Sequence, residues 1–515
     1  MSALLHRIVR PRRQDQRGYV LAMTALTLVP LMIVAGLAVD FGGFYTEASH
    51  MQRASDAAAL AGVVWLPDLA TATTTAKATA KQNGFDDAAS TISVTVTQLS
   101  VNRLSVSITD SAGEVYVAKF IKNSVSITRT STAEYNLPIP MGSPKNYFGT
   151  GDMISGANRE NFYAAINGNC YDKNQGDPFA VKWAGGQGGG SCTGTATANP
   201  EYIASPDAQY QYYVNVPGNR TNPITIHLWN PEGPSVDGSV SGRSCASGTY
   251  DPGGCMSGTS GVNVTATFTL RAPDSTPMND DDNPTSTCNG ATSQTYSTAA
   301  SLGTVDTLLG RTGWVRFCTI PTTWAAGTYI LEIRNKANET SSSGLNAYGV
   351  MADYNGAGGS CDARTDATCP AVYGKNFISI YANTSSSSAQ FYLAEIGPLN
   401  AGKTLQVTLF DPGEGGQSIN LLKPDGTQAT FNWQNMGPNG ITPGATGTNQ
   451  TSLSVAGSPS PFNGSYVQLT TTLPANYSTL YSQYWWKIQY NFGSSAVTDR
   501  TTWGVKMLGS PVHLV

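Results

Sequence analysis

From Tyr19 to Val39 the chain carries 21 uncharged residues, "YVLAMTALTLVPLMIVAGLAV", bounded by the Arg17-Gly18 pair and by Asp40. No other stretch limits the possible folds as strongly. As a helix it is about 30 Å long, which matches the hydrocarbon core of a bilayer. A cleaved export signal has a shorter apolar core of roughly 7 to 15 residues. The length therefore predicts a retained transmembrane helix over residues 18–39, with Gly36 and Ala38 keeping signal-peptidase cleavage as the alternative. Pro30 lacks a backbone donor and predicts a kink within the span.

The flanking charges orient this helix. Arg7, Arg10, Arg12, Arg13 and Arg17 against Asp15 give residues 1–17 a charge of +4, so with a net charge of −4 the remainder carries −8. Basic flanks stay in the cytoplasm, which predicts a single-pass protein with a cytoplasmic tail and the bulk of the chain outside. No basic face remains for nucleic acid. All eight cysteines lie between Cys170 and Cys369, an even number in a region that export would oxidise. Sequence proximity pairs Cys170 with Cys192, Cys245 with Cys255, Cys288 with Cys318 and Cys361 with Cys369, among 105 possible connectivities.

Beyond the span, residues 40–66 regain helix-forming Ala, Leu, Gln and Arg and predict an extracytoplasmic helical stalk. Ala54, Ala57, Ala58, Ala61 and Gly62 permit close approach of another backbone, either from the stalk's own domain or from a partner helix. Gln52 and Asp56 lie four apart on one polar flank.

These features together resemble the N-terminus of TadE/TadG-like proteins of the tight-adherence (Tad/Flp) pilus system. The resemblance rests on Gly18 after a basic stretch, Pro30 within the span, Asp40 at its outer end, and Gln52, Ala54, Asp56, Ala57, Ala58, Leu60, Ala61 and Gly62 beyond. It covers under a tenth of the chain. It implies an inner-membrane-anchored component of a surface-fibre or secretion machine, with other Tad/Flp components as partners beside the lipid bilayer. Asp40, Gln52 and Asp56 become candidates for assembly contacts, Asp40 equally marking the membrane exit. Precursors cut after glycine in the pilin manner usually carry glutamate at the fifth mature position; here that position is Met23, so Gly18 reads as unprocessed.

The rest of the chain reads as mainly β, because only 12% of residues are charged while 54 Gly and 28 Pro separate short β-branched and aromatic runs. At 515 residues, about three folded units are expected. Residues 67–136 read as a small α/β head: a helix "TATTTAKATAKQNG", strands "ISVTVTQ" and "RLSVSIT", a short helix around "EVYVAKFIKN", and a strand "SVSITRTSTAEY". Residues 137–159 read as a linker because of three prolines. Two jelly-roll-like β-sandwiches follow, the disulfide-containing one over 160–372 and a second over 373–515.

An internal repeat supports the pair of sandwiches. "AQYQYYVNVPGNRTNPITIHLWNPEG" from Ala208 resembles "AQFYLAEIGPLNAGKTLQVTLFDPGEG" from Ala389, and "AGTYILEIRN" and "NAYGVMA" find counterparts in "YSQYWWKIQYNF" and "TTWGVKM". The similar pieces occur in the same order.

Signals for catalysis are few. His6, His50, His227 and His513 lie in four different segments, and no HExxH, GxSxG or P-loop pattern occurs. "DGSVSG" (237–242) fits a metal-adhesion pattern but does not follow a buried apolar strand. For calcium, "DKNQGD" offers Asp172, Asn174 and Asp177, and "FDPGEG" offers Asp411 and Glu414; "NDDDN" (279–283) is a third acidic turn. A solvated turn is the competing reading of each, and no cofactor is required. Trp485 and Trp503 are candidates for stacking on sugars, against core packing. The sequence therefore predicts a non-enzymatic, membrane-anchored, TadE/TadG-like component of pilus assembly or adhesion. The alternative is a carbohydrate- or matrix-binding adhesin, with a glycan or surface ligand, that uses only the anchor.

Overall fold

The computed structural model describes residues 17–66, 69–100, 103–113, 125–135, 139–148, 161–183, 197–202, 209–229, 265–274, 282–296, 305–306, 311–312, 314–335, 345–354, 359–384, 387–413, 416–457, 460–493, 497–508 and 512–515. The chain divides into two compact units. One is Met1–Asn136 with Pro511–Val515, and the other is Leu137–Ser510.

In the first unit, the predicted span and stalk are one unbroken helix, α1 (Arg17–Val63), with Pro30 inside it. Its first half is exposed, and its mean hydropathy reaches 2.3. Its second half packs on α2 (Leu69–Gln82) and on a sheet of β1 (Ile92–Ser100), β2 (Arg103–Gly113) and β3 (Val125–Tyr135). Alternation explains the strands: Val94 turns inward between exposed Ser93 and Thr95, and on β2 Leu104, Val106 and Ile108 turn inward between half-buried Ser and Thr. Helix α2 ends at Gly84, whose φ of +93° lets the Phe85 amide reach back to the Ala80 carbonyl at 2.9 Å. The predicted helix around residues 114–123 lies outside the described residues.

Of the small residues of α1, Ala54, Ala58 and Gly62 are buried inside this head and Ala57 and Ala61 are half-buried. Ala54, Ala58 and Val63 share one buried apolar cluster with Ala72, Ala76 and Ala80 of α2. A Cβ on Gly62 would stand 2.7 Å from Leu104 Cδ2 and 3.0 Å from both the Ala72 carbonyl oxygen and Ala76 Cβ. Gly62→Val is therefore expected to destabilise the head by about 1–3 kcal/mol through overpacking. A lower urea midpoint for head unfolding is the readout, and an unchanged one would mean the three elements separate freely there.

The sheet's last strand comes from the far end of the chain. β18 (Val512–Leu514; strands of the second unit take the intervening numbers) pairs antiparallel with β3, Val512 opposite Tyr135. Residues 511–515 thus belong with the head, not with the second sandwich. The expected linker also differs. Residues 139–148 are built into the second unit, where Met141 and Asn146 are fully buried and the Asn146 amide donates to the Ala352 and Gly359 carbonyls at 3.0 Å each. Its prolines restrict the backbone without preventing its polar groups from pairing.

The second unit holds two equivalent sets of seven strands. The first set is β4 (Asn161–Asn167), β5 (Tyr210–Val216), β6 (Ile224–Trp229), β7 (Ala266–Arg271), β8 (Trp314–Ile320), β9 (Gly327–Asn335) and β10 (Leu345–Asp353). The second is β11 (Phe377–Thr384), β12 (Ser388–Glu395), β13 (Thr404–Phe410), β14 (Gly416–Leu422), β15 (Tyr466–Thr472), β16 (Trp485–Phe492) and β17 (Val497–Leu508). In each set the second, sixth and fourth strands form one sheet, as β5-β9-β7 and β12-β16-β14. The first, seventh, third and fifth form the other, as β4-β10-β6-β8 and β11-β17-β13-β15. The three repeated sequence pieces lie on corresponding strands, the first of them covering two strands in each set.

The two sets are joined through their first strands. β4 and β11 pair antiparallel, Ala164 opposite Ile380 and Asn161 opposite Asn383. One sheet therefore runs from β8 to β15 and beyond, in the order β8-β6-β10-β4-β11-β17-β13-β15, with an approximate two-fold relation about its middle. A single apolar core underlies both halves, from Tyr212, Leu228 and Phe268 in the first to Leu409, Tyr490 and Trp503 in the second.

Candidate functional site

The assembly-contact candidates lie on α1. Asp40 is only 3% exposed, although it follows a stretch whose side chains are exposed. Gln52 Nε2 donates to Asp56 Oδ1 at 2.8 Å, so the polar flank is a hydrogen-bonded pair within the helix, half-buried at the head. With Ala54, Ala58 and Gly62 facing α2 and the sheet, the small-residue stripe packs on its own domain.

The acidic turn 172–177 is not solvated. It belongs to the chain between β4 and β5 and crosses from the first strand set to the second. Asp172, Lys173, Asn174 and Asp177 are all buried. Asp172 Oδ1 accepts the Asn174 amide at 3.0 Å, closing a local turn. Asp177 accepts three hydrogen bonds: the Asn167 amide at 2.9 Å, the Phe179 amide at 3.1 Å and the Tyr210 hydroxyl at 2.6 Å. Burial raises the Asp177 carboxyl above its ordinary range, while those donors and the Arg500 charge pull the other way.

Lys173 is the crossing point. Its Nζ, buried to 1% exposure, lies 3.0 Å from Glu201 Oε2 and donates to the Pro438 carbonyl at 3.0 Å. The rings of Trp183 and Phe410 stand 4.5 and 5.8 Å from the ammonium. Glu201 Oε2 also accepts the Tyr466 hydroxyl at 3.0 Å, and burial beside that carboxylate raises the Tyr466 pKa. Gly176, with φ of +84°, gives its carbonyl to the Thr502 hydroxyl at 2.7 Å. Only glycine fits there, since a Cβ would meet the Arg500 carbonyl oxygen.

Asp411 completes the seam from the other side. It is 1% exposed with φ of +56°, and its Oδ1 accepts the Gly464 amide at 2.7 Å. Glu414 lies outside the described residues, as do residues 237–242 and 279–281. Among the described residues no three His, Cys, Asp or Glu side chains converge as a metal-ion site. Asp172, Asp177 and Asp411 accept backbone amides, and Asp177 also a tyrosine hydroxyl. The sequence did not point to Lys173, Glu201, Tyr210, Tyr466 or Arg500. Their one signal is local: Tyr171, Phe179 and Trp183 flank the acidic turn, and aromatic residues on both sides of a polar turn favour its burial.

Two of the expected disulfides are present, Cys288–Cys318 and Cys361–Cys369, with Cα atoms 4.9 and 5.9 Å apart. Cys170 is disulfide-bonded as well. Cys192, Cys245 and Cys255 lie outside the described residues. His227 is a buried residue of β6. Trp485 and Trp503 are 3% and 1% exposed and present no ring to a sugar. Trp503 stacks on Tyr490 and donates to its hydroxyl at 2.9 Å.

Residues 18–72 match the family model described as "Tad: Putative Flp pilus-assembly TadE/G-like". The matched segment comprises nearly all of α1 and the first turn of α2, with Gly18, Pro30, Asp40, Gln52 and Asp56 inside it. The N-terminal region is thus TadE/G-like. No curated protein matches the chain. Among solved structures, a protein from Eubacterium rectale described as "a putative secreted protein" is 11% identical over 71% of this chain and 96% of its own, with a TM-score of 0.12. A similarity that low carries no argument about fold or function.

Proposed function

We propose that this protein is a single-pass, non-enzymatic structural component of a Flp (Tad) pilus-assembly machine. The first half of α1 spans the membrane, the basic residues 1–17 lie in the cytoplasm, and the head and the large β unit stand outside. The observation that supports this most is the family match over residues 18–72, which falls on a 47-residue helix whose apolar half is exposed. The oxidised cysteines fit an extracytoplasmic position for the large unit. A structural role fits the polar side chains of the seam, which bind one another and the backbone.

The test is removal of the protein from the producing cell, combined with protease shaving of intact wild-type cells. Deletion is expected to abolish or strongly reduce surface fibres. Shaving is expected to digest the large unit while an epitope within residues 1–16 survives until the cells are opened. Normal fibres after deletion would overturn the assembly role, and a protected large unit would overturn the orientation.

A further inference from the structure

Directly after the apolar run, α1 exposes aromatic side chains that the head does not cover. Phe41 is 70% exposed and Tyr45 79%; four residues apart, they share one face of the helix. Gly42 and Gly43 between them have nothing within 4 Å of an added Cβ, and the helix continues through both. Elsewhere around the helix, Phe44 and Ala48 already pack against the head's core, and Met51 is fully buried in it. At 1.5 Å per residue, that core begins only about 8 Å beyond Val39. The return end of α2 lies farther out, beside His50 at about 16 Å past Val39, since the His50 and Phe85 rings are 5.1 Å apart. There Lys77 pairs with Asp87 and Lys81 with Asp86, so the carboxylates of this rim are matched by ammonium groups.

We propose that the outer headgroup layer of a phospholipid bilayer covers Phe41 and Tyr45, so that the head rests on the membrane surface. This rests on the reading of Tyr19–Val39 as the membrane span. The headgroup layer extends roughly 5 to 8 Å beyond each side of the hydrocarbon core. Helical side chains lean toward the helix N-terminus, which brings the Tyr45 ring back toward the bilayer from a Cα about 9 Å past Val39. An aromatic body with a polar tip suits that layer, where tyrosine is enriched. No free stalk then remains: the helix leaves the lipid and enters its own domain within about one and a half turns. The surface is continuous with the span, which favours lipid over a partner helix as the occupant.

The full-length protein, reconstituted alone in phosphatidylcholine vesicles, tests this. A nitrobenzoxadiazole label is placed at Tyr45→Cys, at Val29→Cys or at Thr74→Cys without reducing the native disulfides, and wild-type protein treated in parallel supplies the background. Lipids carrying a nitroxide on the headgroup or at mid-chain serve as quenchers. Position 45 is expected to be quenched several-fold more by the headgroup nitroxide than by the mid-chain one, position 29 the reverse, and position 74 by neither. An unquenched label at 45 with position 29 quenched at mid-chain overturns the seating and leaves the anchor intact. Position 29 unquenched in protein that does not float with the vesicles overturns both.

Discussion

Asp177→Ala is expected to destabilise the large β unit by about 3–5 kcal/mol, the range for removing one partner from a buried charged network. The substitution leaves the Asn167 and Phe179 amides and the Tyr210 hydroxyl without their acceptor in a site closed to water. Each such group costs about 1–3 kcal/mol when left unpaired. It also removes a negative charge that the buried Arg500 feels. Asp177→Asn retains one acceptor oxygen and is expected to cost less than Asp177→Ala.

The two variants also differ from wild type in pH dependence, with a sign set by burial. The folded-state pKa of Asp177 is raised above the unfolded value near 3.8. Its contribution is therefore fully present below the unfolded value, declines as pH rises toward the folded pKa, and is constant above it. Urea midpoints between pH 3 and neutrality are expected to lose this slope in both variants. An Asp177→Ala midpoint equal to wild type would mean that the turn is dispensable to the seam.

Leu28→Arg combined with Leu31→Arg is expected to remove the protein from the membrane fraction. Both leucines lie near the middle of the apolar run and are 48% and 71% exposed. An arginine at the centre of a span costs roughly 2.5–3.5 kcal/mol for insertion, while each leucine replaced gives up about 0.3–0.6 kcal/mol of favourable transfer. Two substitutions on adjoining turns therefore remove most of the driving force of a 21-residue segment interrupted by Pro30. Carbonate extraction reads the result: soluble or degraded protein for the double variant, and full retention for Leu31→Ala. Retention of the double variant would sink the anchor assignment.

Much of this architecture was legible in the residues. The repeated pieces mark corresponding strands: β5 and β12 share a partly alternating burial despite different side chains, whereas β10 is buried from Asn346 to Asp353 and β17 from Arg500 to Val505. The Ala-rich stripe of α1 was legible as a close-packing surface, though its occupant was not. The joining strands were not legible: "NFYAAIN" and "FISIYANT" are short apolar runs whose pairing links Ala164 to Ile380, and local pattern carries no mark of so distant a partner. β18 was missed because three residues are too few to show a period. The burial of the acidic turn was not legible because polarity alone suggests water, whereas Asp177 is buried among the Asn167 and Phe179 amides and the Tyr210 hydroxyl.

The pairing of β4 with β11 gives the strand sets a relationship that two separate polypeptides would have to find by collision. Equivalent strands meeting antiparallel form the self-complementary contact of a symmetric dimer, whose population falls on dilution. Within one chain the second edge is presented at an effective concentration on the order of millimolar, so the contact does not depend on the protein's own concentration. It also occupies two strand edges that would otherwise be able to template pairing between neighbouring chains. Once covalently joined, the halves are free to diverge, and they have: the disulfide between Cys288 and Cys318 lies in the first, and no cysteine lies in the second.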